Sequence, residues 1–316
     1  MKTWDALRCA MAASVLVCSS AQAELFRAYL ASDGNDANPC TLPAPCRLLP
    51  AALTAVASGG EIWMLDSANY NTGTVNITKS VSILAVPGVV GSIVALNGGS
   101  GISISAPNLK IALRNLVFGP VAGATPGKSG VEVNAASDLV VENSVFANLP
   151  WHAVALNGPS TLKVANSTAR NNGYSAFHMA ANAHAAISST QMLNNGGGGV
   201  TAGIAIGGAQ AVTTATVSDC VISGGYRGVQ ASIGSGGAGL IRMSVTRSTI
   251  ERTNDAALDS ENAGSGTVEV VVGSSLIADN AIAWRQVGAS SVLSLGNNQI
   301  WGNGAGVGAL TPLAPQ

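Results

Sequence analysis

A short apolar strand that closes on a polar residue recurs along this chain, and the spacing of those recurrences limits the folds open to it more than any other feature. One copy reads Val140-Val141-Glu142-Asn143-Ser144-Val145-Phe146 and the next Lys163-Val164-Ala165-Asn166-Ser167-Thr168-Ala169. The closing polar positions fall at 115, 143, 166, 189, 219, 247, 274 and 297, in steps of 28, 23, 23, 30, 28, 27 and 23. A constant floor of 23 residues with occasional insertions is the signature of one coil of a solenoid, the extra residues forming loops outside the stack.

Between these copies lie shorter alternating segments: Val131-Glu132-Val133, Val154-Ala155-Leu156, Phe177-His178-Met179, Ile204-Ala205-Ile206 and Val229-Gln230-Ala231. Period two turns the flanking residues inward and the middle one outward. No amphipathic helix separates them, which excludes a βαβ sheet, and a propeller blade needs about 40 residues. The expected fold is all-β: a single-stranded right-handed parallel β-helix with a short N-terminal capping helix. Composition agrees. With 38 glycines, 4% aromatic and 10% charged residues, the chain suits a thin aliphatic core repeated many times.

Each repeat carries an asparagine just past its last apolar position, at Asn148, Asn171, Asn194, Asn254, Asn280 and Asn303. Asparagine tolerates left-handed backbone, and stacked side-chain amides form ladders, so these are expected to serve turns and stacking. A helix is expected over Arg47–Ala57, with Pro50 in its first turn and Gly59-Gly60 ending it, closing the open edge of the stack. Residues 1–23 read as a signal peptide, with Lys2 and Arg8 in the charged region, an apolar run from Cys9 to Val17, and cleavage after Ala21-Gln22-Ala23. Cys18 keeps a lipoprotein alternative open. The organisation that follows is 1–23 signal, 24–70 cap and first rungs, 71–306 repeats, and 307–316 a loose C-terminal tail. The expected location is secreted or periplasmic, with no membrane span once the signal is removed. Export permits disulfides. Cys40 and Cys46 flank a Pro-rich turn that can bring them together, and Cys220 is left as a buried free thiol.

The segment Ala28-Tyr29-Leu30-Ala31-Ser32-Asp33-Gly34-Asn35-Asp36-Ala37-Asn38-Pro39-Cys40-Thr41, with Pro45-Cys46-Arg47, Ala51-Ala52-Leu53 and Gly59-Gly60-Glu61-Ile62-Trp63-Met64-Leu65 to Tyr70, resembles the N-terminal entry of secreted pectate-lyase-like β-helix proteins. The paired cysteines resemble those of an exported bacterial subgroup. The resemblance implies the fold over the whole mature chain. It carries over no catalytic residue, because neither an Asp-Asp pair nor the Gly-His-Gly of the family's enzymes is found here.

Stacking the middle residues of the alternating strands builds one outward column: Glu132, Ala155, His178, Ala205 and Gln230, continuing to Asp259 and Arg285. Rungs about 4.8 Å apart would let a linear glycan meet several of them. Glu132, His178, Asp259 and Arg285 are the candidates for catalysis, although Asp259 and Arg285 are expected to form an exposed salt bridge. Gln230, Trp151, Tyr174 and Tyr226 are the candidates for binding, the aromatics either stacking on sugars or packing on the coil edge. Arg252, Asp255, Asp259 and Glu261 read as a solvated loop, with a calcium or sugar site as the sharper alternative. His152, His178 and His184 lack metal-ligand spacing, so no metal and no cofactor is expected, calcium being possible without a motif to support it. A net charge of −1 leaves no stripe for nucleic acid. The leading expectation is a non-catalytic β-helix that binds or displays toward polysaccharide, a cell-surface glycan or another surface. A polysaccharide lyase or glycoside hydrolase working along the outward face is the alternative, and a structural adhesin fragment the second.

Overall fold

The computed structural model describes residues 24–121, 123–180, 182–204 and 211–314, with backbone only for 202–204. The expected signal segment 1–23 and Ala205 lie outside the described residues. Among the described residues the strands form three parallel sheets of 12, 9 and 10 strands, in which neighbours in space are one coil apart in sequence. Every strand pair is parallel, as in Val131–Val133 against Val154–Leu156 and Asp138–Glu142 against Thr161–Ala165. The architecture is the expected all-β parallel solenoid, and the 23-residue floor is the length of one bare rung.

Three kinds of inward side chain hold the rungs in register. Aliphatic and aromatic residues fill the centre: Phe118 and Phe146 stack with centroids 4.5 Å apart, and Ala169, Met192, Ile222, Ile250 and Ile277 continue that column. All are buried. Next to them the polar residues of the repeat turn the chain sharply. Asn115, Asn143, Asn166, Ser189, Asp219, Arg247 and Ser274 all have φ between 46° and 56°. In the last repeat Gly296 takes that left-handed position (φ 79°) instead of Asn297. The residue after the turn points inward, and where it is Ser144, Ser167, Thr190, Ser248 or Ser275 its hydroxyl accepts from the rung before. Ser144 N donates to Ser167 Oγ at 3.2 Å and Ser248 N to Ser275 Oγ at 3.2 Å. Cys220 occupies this same column between Thr190 and Ser248 and is buried and free.

The asparagines after the third strand divide between two columns. Asn148, Asn171 and Asn194 hold left-handed backbone, a position taken by Arg252 and Asp279 in later rungs. Asn280 and Asn303 sit one place further on, in a column where two amide pairs, Asn172–Asn195 and Asn280–Asn303, are separated by Gly225 and Thr253. Asn172 Nδ2 donates to Asn195 Oδ1 at 2.8 Å, and Asn280 Nδ2 to Asn303 Oδ1 at 2.8 Å. Asn254 falls in neither column.

The cap is shorter than expected. The helix spans Leu49–Ala55, because Val56 already enters a nine-residue strand, Val56–Met64, that pairs with Leu25–Leu30. The Asp36 carboxylate accepts from the backbone N–H of Arg47 and Leu48, both at 2.8 Å, and so supplies the N-terminal acceptor that the sequence around Leu48 lacks. Leu49, Ala52 and Leu53 close the core from that end, and Cys40 is bonded to Cys46 in the turn beside them. At the other end, the stretch expected to hang loosely adds a strand, Leu310–Pro312, against Ser290–Ser294. Among the described residues no helix is long and apolar enough to cross a membrane.

Candidate functional site

The nine-stranded sheet carries the column expected from the alternating strands, and its register fixes who stands beside whom. The outward column reads Asn76, Ser103, Glu132, Ala155, His178, Thr201, Gln230, Asp259 and Arg285. Six of the seven residues expected there are in place. Thr201 holds the place expected of Ala205, because the strand begins at Gly198, earlier than the alternating pattern suggested.

A second column borders the first, where the chain turns into this sheet. Trp151 and Tyr174 stand on neighbouring rungs, their backbones joined by a 3.1 Å hydrogen bond and their rings tilted at 50° with centroids 5.7 Å apart. Both rings are about half exposed, Trp151 43% and Tyr174 53%, with the rest of each covered along the coil edge. Lys128 lies on the preceding rung, its ammonium 5.2 Å from the Trp151 ring. Below Tyr174, Gly197 leaves one rung without a side chain, and Tyr226 (48% exposed) follows.

Between the columns lies a half-buried polar group that sequence reading missed as a unit. His152 stacks on His178 with centroids 4.8 Å apart and planes 18° apart. His178 Nδ1 shares a 3.0 Å hydrogen bond with Thr201 Oγ1, which is 2.9 Å from Ser175 Oγ. Nδ1 of His152 is buried without a hydrogen-bond partner among the described residues. Burial, followed by repulsion from His178, pulls the His152 pKa down to about 4, and burial lowers that of His178 as well. Both imidazoles are therefore uncharged at neutral pH. His152 draws attention in the sequence only as a possible metal ligand; its position directly after Trp151 was the available clue.

The charged residues at the far end of the face form a network. Arg285 forks onto Asp259 (2.9 and 2.9 Å) and onto Asp255 (2.8 and 2.8 Å). Arg227 lies 3.0 Å from Asp255, 3.1 Å from Asp259 and 3.9 Å from Glu261. The expected exposed Asp259–Arg285 pair is thus a buried one: the Asp259 side chain is 0% exposed, covered by two guanidiniums. The expected solvated loop is also corrected. Asp259 and Glu261 lie on the strand Ala256–Asn262 with Asp255 just before it, while Arg252 sits in the preceding turn and pairs with Glu251. Burial would raise the Asp255 pKa, but hydrogen bonds from Arg285 and Arg227 outweigh it and hold the carboxyl below its ordinary range. Arg227 was missed because it lies two residues before the alternating pattern, next to Tyr226. Among the described residues no group of three or more His, Cys, Asp or Glu is arranged to hold a metal ion.

The family model described as "Right handed beta helix region" matches residues 90–241. Among solved structures, pectate lyase Pel9A superposes with a TM-score of 0.62 at 16% identity, over 92% of this chain and 78% of that one. The complex of XylC with xylose gives 0.55 at 8% identity, over 87% and 70%. An alginate lyase from Paenibacillus sp. gives 0.52 at 12% identity, over 91% and 100%. At such identities the likeness is one of fold. No curated protein sequence matches the chain.

Proposed function

We propose that this chain, which folds as a right-handed parallel β-helix, binds an extended polysaccharide along the outward face of its nine-stranded sheet after export directed by residues 1–23. The observation that carries this reading is the pair Trp151 and Tyr174, two half-exposed rings held side by side on a rigid sheet. Large exposed rings on a β-surface cost apolar hydration and are retained where they meet a ligand. Sugar rings present apolar faces that stack on aromatics and hydroxyls that bond to polar neighbours. Here Thr201, Gln230 and Glu132 stand along the same column. Structural neighbours named for pectate, alginate and xylose support a carbohydrate ligand by analogy of fold.

Binding without cleavage is the leading form of the proposal. Asp259 and Asp255 are each held by two arginines and are not free to accept a substrate proton. One arrangement favours cleavage as a second reading. Glu132 and the uncharged His178 flank Ala155, so a carboxylate and an imidazole face one groove two rungs apart, about 10 Å. The test is affinity electrophoresis of the mature chain through gels containing single polysaccharides, with product analysis by chromatography. Retardation by at least one polymer, reduced about tenfold by Trp151→Ala or Tyr174→Ala, is expected. Chain cleavage lost in Glu132→Gln or His178→Asn would establish the second reading, and the absence of any retardation or cleavage would leave the molecule a structural one.

A further inference from the structure

We infer that this groove is built for an uncharged polysaccharide rather than a polyuronate, with one sugar ring seated in the notch over Gly197 between Tyr174 and Tyr226. The inference rests on the binding function proposed above and adds the class of its ligand. It starts from a census of charge. On this face and its aromatic border the charged residues described are Lys128, Arg227 and Arg285 against Glu132, Asp255, Asp259 and Glu261, three cations to four carboxylates. A polyuronate carries a carboxylate on every sugar and needs cations with free donors. Arg285 has none to spare, and Arg227, which donates only through Nε to Asp255, is already matched in charge by three carboxylates. Arg285 spends its fork on Asp255 and Asp259, and Arg227 lies against Asp255, Asp259 and Glu261. Opening that network to reach a ligand would leave the fully buried Asp259 without a counter-charge. Lys128 stands at the opposite end, over Trp151. The one negative charge in excess repels an acidic chain along the rest of the face.

The remaining contacts suit a neutral one. The stretch Gly196-Gly197-Gly198-Gly199 removes four successive side chains at a single rung of the stack. Gly198 pairs with Ser175, which sets Gly197 level with Tyr174 on one side and Tyr226 on the other. The two tyrosines are therefore two rungs apart, about 10 Å, with no side chain between them. A ring in that gap can lie roughly 5 Å from each tyrosine, within stacking range. A Cβ at Gly197 would come within 3.0 Å of Ser175 N and 3.2 Å of its Oγ, so the notch depends on glycine. The face offers groups that bond hydroxyls without selecting charge: Thr201 Oγ1, the neutral His178 and Gln230.

The experiment compares the full mature chain on neutral glucan, xylan and galactan with the same chain on polygalacturonate and alginate, by titration calorimetry from 0.05 to 0.5 M NaCl. The expected result is binding to a neutral polymer at least tenfold tighter than to either polyuronate, with little dependence on salt. Tyr226→Ala should weaken it about three- to tenfold, and Asp255→Asn, which loosens Arg227 and Arg285 from one partner, should raise polyuronate binding. Tight, salt-sensitive binding of polyuronate with none of neutral polymer overturns the inference and leaves the binding proposal standing. Binding of no polymer overturns both.

Discussion

At the scale of single residues, the stacked pair His152 and His178 ties stability to pH in a way that can be worked out. The His152 pKa falls from 6.5 to about 4 on folding, through burial first and His178 second. Between those values the unfolded chain binds a proton that the folded chain refuses, so acidification favours unfolding. Stability is flat above pH 6.5, declines as pH drops toward 4, and loses nothing more from this group below that. His178 is shifted in the same direction, and Asp255, whose carboxyl folding depresses, adds its own loss only in the acid range below the ordinary carboxylate pKa. Thermal melts from pH 7.5 to 4.5 should therefore show a falling Tm, with a visibly shallower slope in His152→Asn. An unchanged slope in that variant would mean that the imidazole is hydrated rather than buried. Asp259 shows a different use of burial. Its carboxylate is covered completely, yet both its oxygens meet guanidinium groups, so the cost of desolvation is met by charge-assisted bonds.

At the scale of the rung, the polar residue that closes each repeat and the one after it perform different work. The first bends the chain through left-handed backbone, which favours Asn, Asp or Gly over most side chains by roughly 1–2 kcal/mol. The second points inward and passes a hydrogen bond to the neighbouring coil. Cys220 belongs to this column, since its Sγ lies 3.1 Å from the Ser218 carbonyl, as the hydroxyl of Ser248 lies 2.8 Å from that of Thr246. It stands where the rungs on either side have Thr190 and Ser248, and burial raises its thiol pKa, which keeps it protonated. Cys220→Ser should thus be at least as stable as the wild type in urea titrations, because the hydroxyl gives the Thr190 rung a better acceptor. A loss of more than about 1 kcal/mol would show that the sulfur is retained for packing instead. The turn column could be read from the sequence because Asn143, Asn166 and Asp219 repeat at one phase of a visible strand pattern. The amide pairs were legible only in part. Asn171 and Asn172 are adjacent, and only three-dimensional register separates the one in left-handed backbone from the one donating to Asn195. The same limit applied to Thr201: a glycine-rich entry hides where a strand begins, and alternation alone selected Ala205.

At the scale of the whole molecule, a solenoid makes each coil answer only to its neighbours, and the constant 23-residue rung turns that into a test of the architecture. Residues 166–188 form one complete coil with no insertion, running from one turn position to the next. Their removal joins Ala165 to Ser189, which has the same left-handed backbone as Asn166. Thr190 then takes the inward place of Ser167, and Gln191–Leu193 meets Val145–Ala147 where Thr168–Arg170 did. Gly198–Ile204 falls on Val154–Leu156, and the strand Ala211–Ser218 on Thr161–Ala165. Every inward column stays inward, and one coil interface is lost. The shortened chain should therefore fold to the same β-rich spectrum and unfold in one transition, with Tm lower by about 5–10 °C. Deleting only residues 166–177 sends the following strands onto the wrong sheet and should abolish folding. The two deletions remove Tyr174 alike, so both lose the aromatic pair. Only the fold separates them, and equal collapse of both would contradict a stack of interchangeable rungs.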